Sequence, residues 1–469
     1  MNGKRDFYGM LVSGLLFPLH ERLKRHSTVA VRKWLEQTQH YPQARLKALQ
    51  AERLQALIHR AARKVPYYQE VFATRGLDAS AIRTARDLPL LPFLTKDVIR
   101  RQGDRLRAAD AGRLALASTS GSTGEPLRFW LGMERISHDV AAKWRATRWW
   151  GVDIGDPEVV IWASPAEVRA QDRLRRLRDR MLRSTLVNAT DLSEPRLDAI
   201  LEAINRADPR MLFGYTAAIA RLARHILYRG RSVKARDLRV AFVTTEKLLE
   251  EQRRDIAAAF GCPVANGYGG RDAGFIAHEC PAGGMHITAE DVVVEIVDAA
   301  GNPLPIGEAG EVVVTHLASG DFPFIRYRTG DIAVLDGGQC PCGRSLPLIR
   351  DIQGRANDML VGAGGQVMHY TGVSHLLRGL PGLHTFKVIQ ESLFLVRVLV
   401  VAEPPLTEAQ AAGIREGLRR RLGPDVIVVI EQVADIPLER SGKHRHVICR
   451  IPRTAWPPAA EAGGGARAG

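Results

Sequence analysis

Lysine is scarce in this 469-residue chain: eleven of its 66 lysine and arginine residues, the rest being arginine. Cysteine is scarce too, five in all, which excludes a disulfide scaffold in a chain this long. No apolar run reaches the length of a spanning helix. The most apolar early stretch, Met10 to Leu19, is about half of what a bilayer requires. It also lacks the small-residue cleavage pattern of a secretory signal. A cytoplasmic protein without a transmembrane segment is expected. No internal repeat is present, which excludes a solenoid.

What is present fits an ordinary folded protein, 45% hydrophobic and 25% charged, long enough for more than one domain. The net charge of +15 invites a nucleic-acid partner. The arginines, however, are spread along the chain, and no basic stripe interleaved with aromatics supports specific nucleic-acid binding. The sharpest cluster runs from Arg169 to Arg183, with Leu174, Leu177, Met181 and Leu182 at helical spacing. It reads as a solvated surface helix, with an anionic cofactor or peripheral contact with a membrane surface as the alternatives.

Residues 27 to 115 read as a helical lead-in, interrupted at Val65-Pro66-Tyr67-Tyr68. Thr95 is placed to cap a helix starting at Lys96. From residue 116 short apolar runs (159–162, 211–213, 240–243) alternate with helical stretches (195–207, 216–229). That alternation predicts an α/β domain with mostly parallel strands. Val292 to Val297 and Glu311 to Val314 predict an antiparallel β subdomain. Beyond Gly354 a small α/β domain is expected, with strands at 394–401 and 426–430 and a helix at 408–422. The boundaries read 1–354, 355–451 and a disordered tail at 452–469.

The richest stretch for chemistry is Ser118-Thr119-Ser120-Gly121-Ser122-Thr123-Gly124, followed by Glu125-Pro126. Its glycines allow backbone N–H groups to turn onto an anion, and its hydroxyls suit phosphate oxygens. A flexible polar linker is the other reading of such composition. Further along come Asn266-Gly267-Tyr268-Gly269-Gly270-Arg271-Asp272, Tyr327-Arg328-Thr329-Gly330-Asp331, Gly354-Arg355-Ala356-Asn357-Asp358, and a loop from Pro437 to Lys443. In this order the segments resemble the adenylate-forming ligase superfamily, which includes acyl-CoA synthetases. Val65 to Tyr68, Leu94-Thr95-Lys96 and Ile325 to Thr329 are similar to its phenylacetate–CoA ligase branch, which also holds capsule-biosynthesis adenylating proteins. The resemblance spans roughly residues 30 to 450.

The resemblance implies a large N-terminal α/β domain with a nucleotide site and a small mobile C-terminal domain. It implies ATP, Mg²⁺ and coenzyme A as cofactors, and a small carboxylic acid with a thiol acceptor as partners. Ser118 to Gly124 would hold the ATP phosphates. Thr245, Glu246 and Gly269 would line the adenine, Tyr268 would pack against the adenine or the acyl group, Asp331 would accept the ribose hydroxyls, and Arg355 would hold ribose or phosphate. Asp272 stands where the family has a magnesium-supporting Glu. Lys443 would bridge the substrate carboxylate and the α-phosphate. Arg271 departs from the usual Thr or Ser and puts a cation beside Asp272. Adenylyl transfer without a thioester, or acyl transfer to an amine or sugar, stays open, as does a basic nucleic-acid-binding protein.

Two sets of residues are read from their chemistry. Phe213, Gly214, Tyr215, Thr216 and Gly267 supply aromatic faces, small residues and hydroxyls that, together with the resemblance, suit a flat apolar acid, while a short aliphatic acid or a sugar acid stays open. The one carboxylate in these strands, Glu246, goes by the resemblance to the nucleotide and not to an ammonium group. Cys280, His286, Cys340 and Cys342 offer thiolates and an imidazole suited to a structural tetrahedral Zn²⁺, with His278 as a competing ligand. Buried free cysteines are the alternative.

Overall fold

The computed structural model describes residues 7–119, 127–162, 173–355, 359–377, 380–437, 445–452, 455 and 457. The chain divides into two units, Met1–Thr329 with Ala333–Ile352, and Gly330–Ile332 with Gln353–Gly469.

The first unit begins with helices. Gln43–Lys64 buries Leu46, Leu54, Leu57, Ile58 and Ala61 at helical spacing. It stops because Pro66 forces Val65 into an extended conformation (φ −112°, ψ 111°), and the next helix restarts with Pro66 in its first turn. Thr95 caps Lys96–Gln102 as expected, its hydroxyl accepting the Val98 N–H at 3.2 Å. Leu94 bridges to Tyr327, so two segments of family-like sequence meet in one β contact.

An eleven-stranded sheet forms the centre. Ser184–Asn188, Glu158–Trp162, Met211–Tyr215, Val240–Thr244 and Val264–Gly270 lie side by side and parallel. Gly274–Glu279 then pairs antiparallel to Val264–Gly270 and starts the second half of the sheet. Val292–Val297 and Ala309–His316 pair as the sequence suggests, Val294 opposite Val314. This antiparallel part is continuous with the central sheet: hydrogen bonding runs on through the short strand Met285–Ile287. The expected basic helix is Arg173–Met181, and its start at Arg169 lies outside the described residues. Among the described residues no helix is long and apolar enough to cross a membrane.

The second unit has a four-stranded sheet ordered Ile427–Gln432, Leu395–Ala402, Leu383–Ser392, Val447–Cys449. Helix Glu408–Leu422 is capped by Thr407, with Gln410 bonding back to the Thr407 N–H at 2.8 Å. Most of the expected tail at 452–469 lies outside the described residues.

Candidate functional site

The C-terminal ends of the parallel strands, next to the reversal of strand direction, are where an open α/β sheet leaves a crevice for ligands. Tyr215 pairs with Thr244, Thr244 with Gly267 and Gly267 with His278, one row across that edge. Just past the row, Thr245 has φ of +78°, a conformation that β-branched residues avoid. Its buried hydroxyl has no hydrogen-bond partner among the described residues. A strained backbone and a buried hydroxyl of this kind at a strand end single Thr245 out as a candidate for a ligand contact. Glu246 is held in place by the helix that follows Tyr215, its Oε2 accepting the Ala217 N–H at 2.8 Å.

Tyr268 is buried, and the strand bulges between Tyr268 and Gly269. The turn beyond carries Asp272, whose Oδ2 accepts the Tyr327 hydroxyl at 2.6 Å and whose Oδ1 accepts the Ala273 N–H at 3.1 Å. Arg135, fully buried in helix Met133–Trp149, donates to the carbonyl of Asp272 at 2.5 Å and to that of Arg271 at 3.3 Å. Burial pulls the Arg135 guanidinium below its ordinary value, while Asp139 and Asp272 act in the opposite sense. The Arg271 side chain reaches the Ser118 carbonyl at 3.3 Å. Ser118 and Thr119 end one arm of a hairpin whose other arm starts near Leu127, and the Thr119 N–H donates to the Leu127 carbonyl at 3.0 Å. Ser120, Gly121, Ser122, Thr123 and Gly124 lie outside the described residues.

The residues expected to line an acid pocket divide. Phe213 and Tyr215 both meet Trp162, Phe213 stacked at 6.1 Å and Tyr215 edge-on at 4.8 Å, and Phe242 continues the row. The Lys143 ammonium lies 3.8 Å above the Phe213 ring. Gly214 and Thr216 have other duties. A Cβ at Gly214 would lie 2.1 Å from the Ile161 carbonyl, so strand packing requires the glycine. Thr216 is buried and its hydroxyl donates to the carbonyls of Thr244 and Glu246, so it braces the loop. Gly267 keeps its side-chain space free against Phe242, where a Cβ would come within 2.8 Å of the ring.

In the second unit Asp331 and Arg355 come together, Nε to Oδ1 at 3.5 Å. Asn357, Asp358 and Lys443 lie outside the described residues.

A separate cluster forms in the first unit. One ligand atom from each of Cys280, His286, Cys340 and Cys342 falls within 4.8 Å of all the others. Cys280 Sγ lies 3.6 Å from Cys340 Sγ, and Cys342 Sγ lies 3.2 Å from His286 Nε2. Such separations match the edges of a tetrahedron with metal–sulfur bonds of about 2.3 Å. Gly284 makes room, since a Cβ there would sit 2.6 Å from Cys340 Sγ. His278 is not part of the cluster: its ring stacks on Phe275 at 5.3 Å, and burial, chiefly, pushes it down to about 3.

Arg135 and Lys143 were not singled out from sequence, and Tyr327 was legible there only as the first residue of the motif that ends in Asp331. Arg135 and Tyr327 touch Asp272 from distant positions in the chain, a contact that no local signal announces.

The AMP-binding enzyme family profile matches residues 114–318, and the CapK C-terminal domain profile matches residues 360–450. Protein CapK of Staphylococcus aureus is 24% identical over 414 residues, covering 86% of this chain and 89% of that protein. A phenylacetate–coenzyme A ligase of Thermus thermophilus is 26% identical over 413 residues, covering 82% and 85%. A crystal structure of 2-hydroxyisobutyryl-CoA ligase in the postadenylation state superposes with a TM-score of 0.70 at 19% identity, covering 89% of this chain and 92% of that one. An anthranilate CoA ligase bound to anthranoyl-AMP superposes at 0.51 with 18% identity, covering 77% and 73%. At these identities the structures speak to the fold.

Proposed function

Because the chain belongs to the adenylate-forming ligase superfamily, in the branch of the phenylacetate–CoA ligases and CapK, we propose that it activates a carboxylic acid with ATP. A carboxylate oxygen of the acid attacks the α-phosphorus, the bond to the bridging oxygen breaks, and pyrophosphate leaves. A thiol, that of coenzyme A in our assignment, then attacks the acyl carbonyl and expels AMP. The observation that carries this proposal is Thr245, strained and with a buried hydroxyl that has no partner among the described residues, at the edge where open α/β sheets take ligands.

In this assignment Ser118 to Gly124 take the phosphates, Thr245, Glu246, Tyr268 and Gly269 the adenine, and Asp331 with Arg355 the ribose. Lys443, from the small domain beginning at 355, offsets the repulsion between two anions in the first step. Asp272 suits a magnesium site, since its described partners are a neutral hydroxyl and an amide and its other lone pairs are left for a cation. Mg²⁺ there would neutralise phosphate charge. Arg135 and Tyr327 are positioning residues, one fixing the backbone of Asp272 and the other its carboxylate.

The acid is an aromatic or otherwise apolar one, facing Trp162, Phe213 and Tyr215. Lys143, half-buried above Phe213, favours a ring that carries an acceptor substituent. The cysteine–histidine cluster holds Zn²⁺ as a structural staple between the strand ends near 280–286 and the loop at 340–343, because four protein ligands close the site to substrate.

The test is ATP–pyrophosphate exchange over a panel of benzoate-, phenylacetate- and cinnamate-type acids, amino acids and fatty acids. Exchange with aromatic acids, and a thioester when coenzyme A is added, is expected. Exchange only with an amino acid or a long-chain fatty acid would remove the pocket assignment, and product that stays adenylylated would favour an adenylyltransferase.

A further inference from the structure

The first described helical run, Phe7 to Leu23, carries no charged side chain before His20 and Glu21. One side of it is buried through Gly9, Val12 and Phe17, with Phe17 edge-on to Trp144 at 5.1 Å. The opposite side, at helical spacing, presents Phe7, Met10, Leu15, Leu19 and Leu23, each more than half exposed. A row of five large apolar side chains over four turns is far beyond the scattered exposed leucine of an ordinary surface.

The surroundings of this row are basic. The Tyr8 hydroxyl donates to the Met181 carbonyl at 3.0 Å, and the Arg183 guanidinium lies 5.8 Å from the Tyr8 ring. These contacts tie the run to helix Arg173–Met181, where Arg175, Arg176 and Arg180 are exposed and Leu177 adds another exposed apolar side chain. The end of the run adds Arg22, Lys24 and Arg25. Burial, and then the nearby Arg178 and Arg175, pull the Lys24 ammonium below its ordinary value, as expected where cations crowd one another.

We propose that this face, the apolar row of Phe7 to Leu23 flanked by the arginines of Arg173–Met181, docks the protein on an anionic lipid bilayer. The apolar row enters the headgroup–acyl boundary and the arginines meet lipid phosphates. A second copy of the chain is the other occupant an apolar row could take. Twofold pairing would set the arginines of one copy against those of the other, in a molecule of net charge +15, and like charges across an interface cost binding. Lipid phosphate has the complementary sign.

The test is co-sedimentation of the full chain with vesicles of phosphatidylcholine alone and with 30% phosphatidylglycerol, about one lipid in three being anionic. Binding to the anionic vesicles, weakened by salt, is expected, with little binding to the neutral ones. Leu15→Glu with Leu19→Glu, and separately Arg175→Glu with Arg176→Glu, should each lower the partition coefficient more than about tenfold. All four positions are exposed, and an unchanged melting temperature confirms that the variants fold. Equal binding to both vesicle types, no binding to either, or a concentration-dependent dimer abolished by Leu15→Glu with Leu19→Glu would each overturn the proposal.

Discussion

At Thr245 the backbone and the side chain are both kept in unfavourable states, at a cost of about 1–3 kcal/mol for the strained φ alone. Thr245→Gly relieves the strain and deletes the hydroxyl. Thermal stability should hold or rise by about 1 kcal/mol, net of the entropy glycine brings to the unfolded chain, while KM for ATP rises about tenfold. Melting curves and pyrophosphate exchange read the two effects separately; a fall in stability with unchanged KM would make Thr245 an ordinary turn residue. Lys143 is the second residue with a function to reveal. Lys143→Met should lower kcat/KM for hydroxybenzoate-type acids about tenfold and leave benzoate nearly unchanged, because a methionine keeps the stem over Phe213 and loses the charge. Equal losses for both acids would show a packing role.

Among the elements, the segment carrying Cys280 and His286 and the loop carrying Cys340 and Cys342 would depend on each other through a metal in our assignment. Zinc near one equivalent per chain is expected, and Cys340→Ser should lower both metal content and melting temperature. Metal-free protein of unchanged stability, by elemental analysis and thermal melt, would reject the site. Helix Met133–Trp149 is anchored by charge as well as by apolar packing. Its His138 Nδ1 lies 2.6 Å from Asp291 Oδ1, with Arg53 at 3.6 Å from the same oxygen. Burial works to raise Asp291, but His138 and Arg53 more than offset it and hold the carboxyl down at about 2. A carboxyl depressed in the folded state stabilises above its ordinary value of 3.8, and that contribution is lost as pH falls toward 2. Urea melts should therefore show wild type losing on the order of 1–2 kcal/mol more than Asp291→Asn between pH 5 and pH 2.5.

At the scale of the whole molecule, adenylation and thioester formation use the C-terminal domain differently in our assignment. Lys443 acts where two anions must approach, which happens only in the first step. Lys443→Ala should abolish pyrophosphate exchange, by about a thousandfold, and spare thioester formation from a supplied acyl-adenylate. Equal loss in the two half-reactions, measured separately, would assign the lysine to the fold or to both steps.

The sequence by itself determined the elements and the chemistry they carry. Apolar spacing placed Glu194–Ala207 and Glu408–Leu422, Pro66 set a helix break, and Thr95 a cap. The cysteines and His286 were legible because soft ligands are rare and their pairing is local on each side. What only tertiary structure decided was which side chains meet. The antiparallel strands from Met285 onward were legible as strands, but their continuity with the central sheet was not, because period-two patterning identifies a strand and not its neighbour. The packing of Gly214 on Ile161 and the hydrogen bonds of Thr216 were not legible, because smallness and a hydroxyl look the same in sequence whether a ligand or a backbone carbonyl uses them. His278 read as a metal ligand by proximity in sequence, and an aromatic partner, Phe275, took its ring. Arg135 and Tyr327 reach Asp272 across more than fifty residues of chain. Contacts at that separation depend on how the sheet is ordered, and strand order follows from long-range burial that no local pattern encodes.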